Sequence, residues 1–114
     1  MNKYADAACK AEKYVKEQVR QGRPYVTYGE LNKHLGIDRM TGWHVLGALV
    51  ERNTEAKSPL WSSFVSYCDD RYGVKGWPGS CFNSCAEHYG WTVGHGRDFA
   101  RQQRQACRDT LNQT

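Results

Sequence analysis

The sequence predicts an α+β fold: a winged helix-turn-helix core with a short β-hairpin wing, extended by additional helices at its N- and C-terminal ends. Three observations predict it. Thr27-x-x-Glu30 opens a short apolar-periodic run that stops at Gly36, and a second helical run starts after Asp38 and Thr41. The β-rich run Leu60–Tyr67 is then followed by turn chemistry from Asp69 to Gly76, the order of a helix pair and a wing.

With 114 residues, 39% hydrophobic and 25% charged, the chain fits one domain with one core. Within it, residues 1–24 read as an N-terminal helix, 25–79 as the winged-helix core and 80–114 as C-terminal helices. Tyr4, Ala8, Ala11, Val15 and Val19 recur at helical spacing and line one face of a helix from Asn2 to about Gln21. Lys13, Lys16, Arg20 and Arg23 fall on its other side as a basic stripe, and Gly22 with Pro24 ends it. A solvated helix face is the favoured account of that stripe, with phosphate contact the alternative.

In the core, Thr27 and Glu30 form a capping box for a helix that buries Leu31 and Leu35. Asp38 or Thr41 caps the next helix, in which Val45, Leu46, Leu49 and Val50 face inward and Arg39, Trp43, His44, Ala48 and Arg52 lie on the other sides. Gly42 and Gly47 weaken that helix relative to alanine, so each is expected where something approaches closely, with helix-on-helix packing the favoured reason. Leu60 to Tyr67 reads as the best strand, and a returning strand around Val74 to Trp77 completes the wing. Ser80 is placed as the cap of a helix through Cys81, Phe82, Cys85 and Tyr89, and Asp98 as the cap of a last helix that buries Phe99, Ala100, Gln103, Cys107 and Leu111.

Charge is unevenly distributed. The net +4 arises at the two ends, +3 over residues 1–23 and +2 over 94–114, while residues 24–93 sum to −1. Arg97, Arg101, Arg104 and Arg108 are spaced to form one cationic face of the last helix, which calls for free solvation or an anionic partner. No run of about 18 apolar residues occurs, and Lys3, Asp6, Lys10 and Glu12 stand where a signal peptide needs an apolar region. Five irregularly spaced cysteines suit reduced thiols. These features lead to the expectation of a cytoplasmic protein.

Chemistry has little local support. Cys81, Cys85 and His88 stand at i, i+4 and i+7 and could join Cys68 or His95 around zinc, but no C-x-x-C knuckle is present and buried thiols account for the same residues more simply. No G-x-S-x-G, phosphate-binding loop, dinucleotide fingerprint or H-E-x-x-H pattern occurs. Neither a catalytic residue, a metal nor a cofactor is therefore expected.

Val26-Thr27-Tyr28-Gly29-Glu30-Leu31, then Leu35-Gly36 and Val45-Leu46-Gly47-Ala48-Leu49, resemble the winged-helix DNA-binding domain of the O6-alkylguanine alkyltransferases and alkyltransferase-like proteins over residues 25–79. In that family a V-T-Y-G-x-L/I helix precedes a V-G-x-A-L recognition helix, then a P-C-H-R or P-W-H-R segment and a Gly-rich turn. Here Pro59-Leu60-Trp61-Ser62-Ser63 replaces the active-site segment, and Trp43 takes the approximate place of the arginine that enters the base stack. The resemblance thus implies DNA binding without alkyl transfer. The stretch from Pro59 to Phe82 is also similar to small winged-helix-type proteins of bacteria and phages.

The leading expectation is a non-enzymatic winged-helix protein on double-stranded DNA. Arg39, Thr41, Trp43 and His44 would lie near the groove, Arg71 and Lys75 on the wing, and Arg97, Arg101, Arg104 and Arg108 on flanking phosphates. The alternative is a phage- or plasmid-borne binding module or inhibitor of anti-defence type, whose partner is a host protein such as a nucleic-acid-handling defence complex. The near-neutral centre and the aromatics Trp43, Trp61, Tyr72, Trp77 and Trp91 motivate it.

Overall fold

The computed structural model describes residues 3–66, 75–94 and 97–113. In chain order these form α1 (Ala5–Arg20), β1 (Val26–Thr27), α2 (Tyr28–Leu35), α3 (Arg39–Glu55), a 3-10 helix (Trp61–Phe64), β2 (Val65–Ser66), α4 (Ser80–His88) and α5 (Asp98–Asn112). The architecture is mostly helical, and the one sheet among the described residues is the two-residue parallel pairing Val26↔Val65 and Thr27↔Ser66.

This overturns the expected winged fold with its β-hairpin. A hairpin needs antiparallel neighbours in sequence, whereas β2 pairs in parallel with β1 across the α2–α3 crossover. The expected strand Leu60–Tyr67 is a 3-10 helix for four residues and a strand for two. Residues 75–77 of the expected returning strand form a turn and bend, and the rest of the wing, including Arg71, lies outside the described residues. The cause is burial: every residue from Leu60 to Ser66 is buried, so the run has no solvent face on which a half-exposed strand could alternate.

Buried polar side chains replace the missing ladder. The Leu60 amide donates to Gln103 Oε1 at 2.9 Å, and the Trp61 amide donates to Asn53 Oδ1 at 3.0 Å. Arg104 Nε donates to the Ser63 carbonyl and Arg104 Nη2 to the Gly76 carbonyl, each at 2.7 Å. Asn53 also donates to Glu12 of α1. One buried stretch is thereby tied to α1, α3 and α5, and its Leu60 and Trp61 amides and Ser63 carbonyl find partners out of water.

The main core unites Ala8, Ala11 and Val15 of α1 with Val26, Leu31, Val45, Leu49, Trp61, Phe64 and Cys107. Small residues on α1 let α3 approach closely. Val50, Leu60, Phe82, Ala86, Val93, Phe99 and Ala100 form a second cluster under α4 and α5. With apolar residues serving both clusters, α3 is buried on two sides, as its Val45–Val50 run requires.

The helix termini follow local chemistry. Thr27 Oγ1 accepts from the Glu30 amide and Glu30 accepts from the Thr27 amide, the expected capping box. Gly36, at φ 70°, closes α2, and the Gly36 and Ile37 amides return to Lys33 and Asn32. Asp38 caps α3 through the Thr41 amide. The other two expected caps move by one residue: Gly79 precedes α4 and Arg97 precedes α5, leaving Ser80 and Asp98 inside their first turns, where Asp98 meets the helix dipole.

Gly42 marks the closest approach of α2 and α3. A Cβ there would stand 2.6 Å from the Tyr28 phenol oxygen and closer still to the Asn32 amide oxygen, and both side chains are buried. Gly42→Ala is therefore expected to destabilise the fold by about 1–3 kcal/mol in urea denaturation, despite alanine's higher helix propensity. An unchanged or raised midpoint would contradict the close approach.

Glu30 carries more than its cap. Arg23 grips it with two 2.7 Å hydrogen bonds and the Tyr14 hydroxyl donates at 2.9 Å. These partners, Arg23 foremost, hold its carboxyl at about 2, below the ordinary 4.5. The sign follows from linkage: the stabilisation is full above the unfolded value and is lost as pH falls toward about 2. Glu30→Gln should flatten the acid limb of stability against pH in that window, as read by thermal melts from pH about 5 to about 2.

Candidate functional site

Cationic residues gather in two regions, and α1 runs between them. At the N-terminal turns of α3, Arg39 and Met40 are exposed, and Met40, at 74% exposure, is the one exposed large hydrophobic among the described residues. His44 is exposed and stacks on Tyr4, with centroids 5.1 Å apart, and Lys3 lies over the same tyrosine. Thr41 and Trp43 are half-buried; the Thr41 amide is bound by Asp38, and the Trp43 ring tilts against Tyr28. Of the expected groove residues, Arg39 and His44 are the ones presented outward.

The second region follows α5. Arg97, Arg101 and Arg104 surround the Trp77 indole, their guanidinium carbons 5.8, 5.7 and 4.2 Å from its ring centroid. Arg104 and Arg108 lie 5.4 and 5.2 Å from the Phe64 centroid. Cation–π contact with the half-buried Trp77 and the buried Phe64 orders these side chains while leaving their charge in place. Arg101 also pairs with Asp98 at 3.0 Å, but both are largely exposed and such a pair holds weakly.

The four arginines are not equivalent. Arg104 is 5% exposed and clamps two carbonyls, and burial, with Arg108 beside it, lowers its guanidinium to about 10. It remains charged at neutral pH, but it is a structural tie and not a surface contact. Arg97 and Arg101 are exposed and Arg108 is half-exposed. Lys75, the described member of the expected wing pair, is exposed in the turn before Gly76.

The α5 stripe meets α1. A cleft of about 580 Å³ is lined by Arg20 at the end of α1, Arg23 in the connection that follows, and Arg108, Leu111 and Asn112 from the end of α5. Arg23 is neutralised by Glu30, whereas Arg20 and Arg108 have no carboxylate partner among the described residues. The expected α1 stripe is thus divided: Arg23 serves Glu30, Lys16 pairs with Glu12 at 3.1 Å and covers Trp61, and Lys13 and Arg20 stay outward. Lys10 and Lys13 line a groove against His34 and Leu35 of α2, so exposed cations run the length of α1, interspersed with exposed Asp6 and Glu17.

Metal and thiol chemistry gain nothing from the geometry. No group of three or more His, Cys, Asp or Glu side chains is gathered to hold a metal ion among the described residues, so Cys81, Cys85 and His88 do not converge. His88 is exposed and turns edge-on to Tyr89. Cys107 is fully buried, and burial pushes its thiol up to about 12. No described helix is long and apolar enough to cross a membrane.

Sequence reasoning missed two features. Trp77 is the hub of the arginine stripe, and only its position beside a glycine and a proline hinted that it stood outside a regular element. Arg20 belongs to the same cationic cleft as Arg108, a pairing of residues far apart in the chain that no local pattern signals.

No family model, curated protein or solved structure matches this chain.

The division among the arginines is testable by stability alone. Arg104→Ala leaves two buried carbonyls without their donor and is expected to cost about 2–4 kcal/mol in urea denaturation. Arg101→Ala, on the exposed side of the same stripe, should change stability by less than about 0.5 kcal/mol. Equal effects would contradict the assignment of Arg104 to the interior.

Proposed function

We propose that this protein is a non-enzymatic DNA-binding protein that holds duplex phosphates along α5 and the cleft α5 forms with α1. One observation carries the reading: Arg20 and Arg108, from opposite ends of the chain, line one cleft without carboxylate partners among the described residues, and Arg101 and Arg97 extend that edge along α5. Arginines pre-ordered on aromatic faces lose little freedom on meeting a phosphate, and their forked donors match its oxygens. Lys10 and Lys13 continue the positive edge along α1 toward Lys3, Arg39 and His44, which serve as a second point of contact.

A salt titration of duplex binding tests this. With Arg20, Arg97, Arg101 and Arg108 on phosphates, log affinity should fall with log salt with a slope of about −3 to −4, and Arg20→Ala or Arg108→Ala should each reduce it by about one. Absence of binding at about 50 mM salt rejects the reading.

Met40 favours a second reading, a protein-binding module, since an exposed methionine flanked by Arg39 and Trp43 resembles an interface hot spot more than a phosphate contact. Met40→Ala separates the two. It leaves the salt slope unchanged if the partner is DNA, and weakens capture of a stoichiometric protein partner if it is not.

A further inference from the structure

The solvent face of α1 is more regular than a positive edge requires. Lys3, in the turn before the helix, and Asp6, Lys10, Lys13, Glu17 and Arg20 are spaced three, four, three, four and three, which sets them in one straight stripe, and all six are exposed. Ala8, Ala11 and Val15 pack into the main core and hold that stripe outward. Lys16 and Arg23 lie off the stripe and are neutralised, by Glu12 and Glu30 respectively. On it, Lys10, Lys13 and Arg20 have no carboxylate partner among the described residues.

The stripe reads cation, acid, cation pair, acid, cation. At the rise of an α-helix, Lys3 and Arg20 stand about 25 Å apart, and the Lys10–Lys13 pair lies about 13 Å from each. Every cationic step is joined by a basic residue of another helix. His44 of α3 stacks on Tyr4, over which Lys3 lies; His34 of α2 lines a groove with Lys10 and Lys13; Arg108 of α5 lines the cleft with Arg20. Asp6 and Glu17 fall in the two gaps between steps.

Carboxylates inside such a stripe weaken its hold on any anion whose charge is evenly spread or free to rearrange. Against a double helix they cost little, because its phosphates stand in rows with grooves about 12 and about 6 Å wide between them. A step of about 13 Å is on the scale of the passage from one row to the next across a groove. We infer, on the footing of the DNA-binding reading, that the α1 stripe selects a rigid duplex over flexible polyanions: its three cationic steps meet phosphate rows, and Asp6 and Glu17 stand over the grooves between them. The stripe covers about 7 base pairs at about 3.4 Å each.

Fluorescence anisotropy of the full chain at about 50 mM salt tests this with hairpin duplexes of about 4, 8 and 12 base pairs and with a single strand carrying as many phosphates as the longest. The 8- and 12-pair duplexes should bind within about twofold of each other, while the 4-pair duplex, long enough for two steps, and the single strand should each bind about tenfold more weakly. Glu17→Gln and Asp6→Asn should each raise single-strand affinity about threefold, the size of one exposed charge contact, and move duplex affinity by less than that. Lys13→Ala should lower duplex affinity and reduce its salt slope by about one, and melting temperatures verify that each variant is folded. Equal affinity for single strand and duplex, a 4-pair duplex that binds as tightly as the 12-pair one, or acid variants that strengthen duplex and single strand alike would each overturn the inference while leaving DNA binding intact. No binding of any of these nucleic acids rejects the DNA reading and this inference with it.

Discussion

The fold depends on burying the seven residues from Leu60 to Ser66 while side chains of α3 and α5 meet the Leu60 and Trp61 amides and the Ser63 carbonyl. Excluding that stretch from water removes the cheapest partners for its amides and carbonyls, and two paired residues of strand cannot supply enough replacements. Asn53, Gln103 and Arg104 supply them from α3 and α5, at sequence distances of 8 to 43 residues. Helix placement then follows. α3 must bring Asn53 to Trp61, α5 must bring Gln103 and Arg104 to Leu60 and Ser63, and α1 must bring Glu12 to Asn53. The polar ties orient the elements, and apolar burial around Trp61 and Phe64 supplies the drive.

That requirement also explains which parts of the fold were legible in the sequence. Thr27, Glu30, Gly36 and Asp38 act within three or four residues of themselves, so their spacing alone announced α2 and the start of α3. Helical periodicity likewise announced α1 and α5, whose inner faces are continuous. Leu60–Ser66, the described part of the expected strand, was illegible for the opposite reason. A run buried on every side has no alternation to read, and its partners at Asn53, Gln103 and Arg104 are tertiary. Composition favoured a strand, and long-range side-chain bonding overrode it.

The two glycines of α3 separate the same way. Both weaken a helix and both suggested close approach, yet Gly42 faces the buried ends of Asn32 and Tyr28 while Gly47 faces, among the described residues, an open pocket. Nothing in the five-residue interval between them distinguishes the roles; the neighbouring elements α2 and α4 do. The arginines of α5 behave alike in sequence and differently in space for the same reason. Their four-three-four spacing predicts one continuous cationic face, but Arg104 lies where that face meets the interior and is buried while its neighbours turn out.

Arg104 turning inward shapes the electrostatics of everything near it. Had a carboxylate met it, the pair would be locally neutral and α5 would carry little outward potential. Instead its charge-assisted donors end on the Ser63 and Gly76 carbonyls and its face rests on Trp77 and Phe64, all of which stabilise a cation without cancelling it. The buried charge is felt by Arg108, and that mutual repulsion contributes to the fall of Arg104 toward about 10. Arg108 sits in the cleft beside Arg20, so a structural arginine inside reinforces a positive cleft outside. An anion entering the cleft beside Arg108 would relieve its repulsion of Arg104, and through Arg104 would bear on the tie that holds residues 60–66 in place.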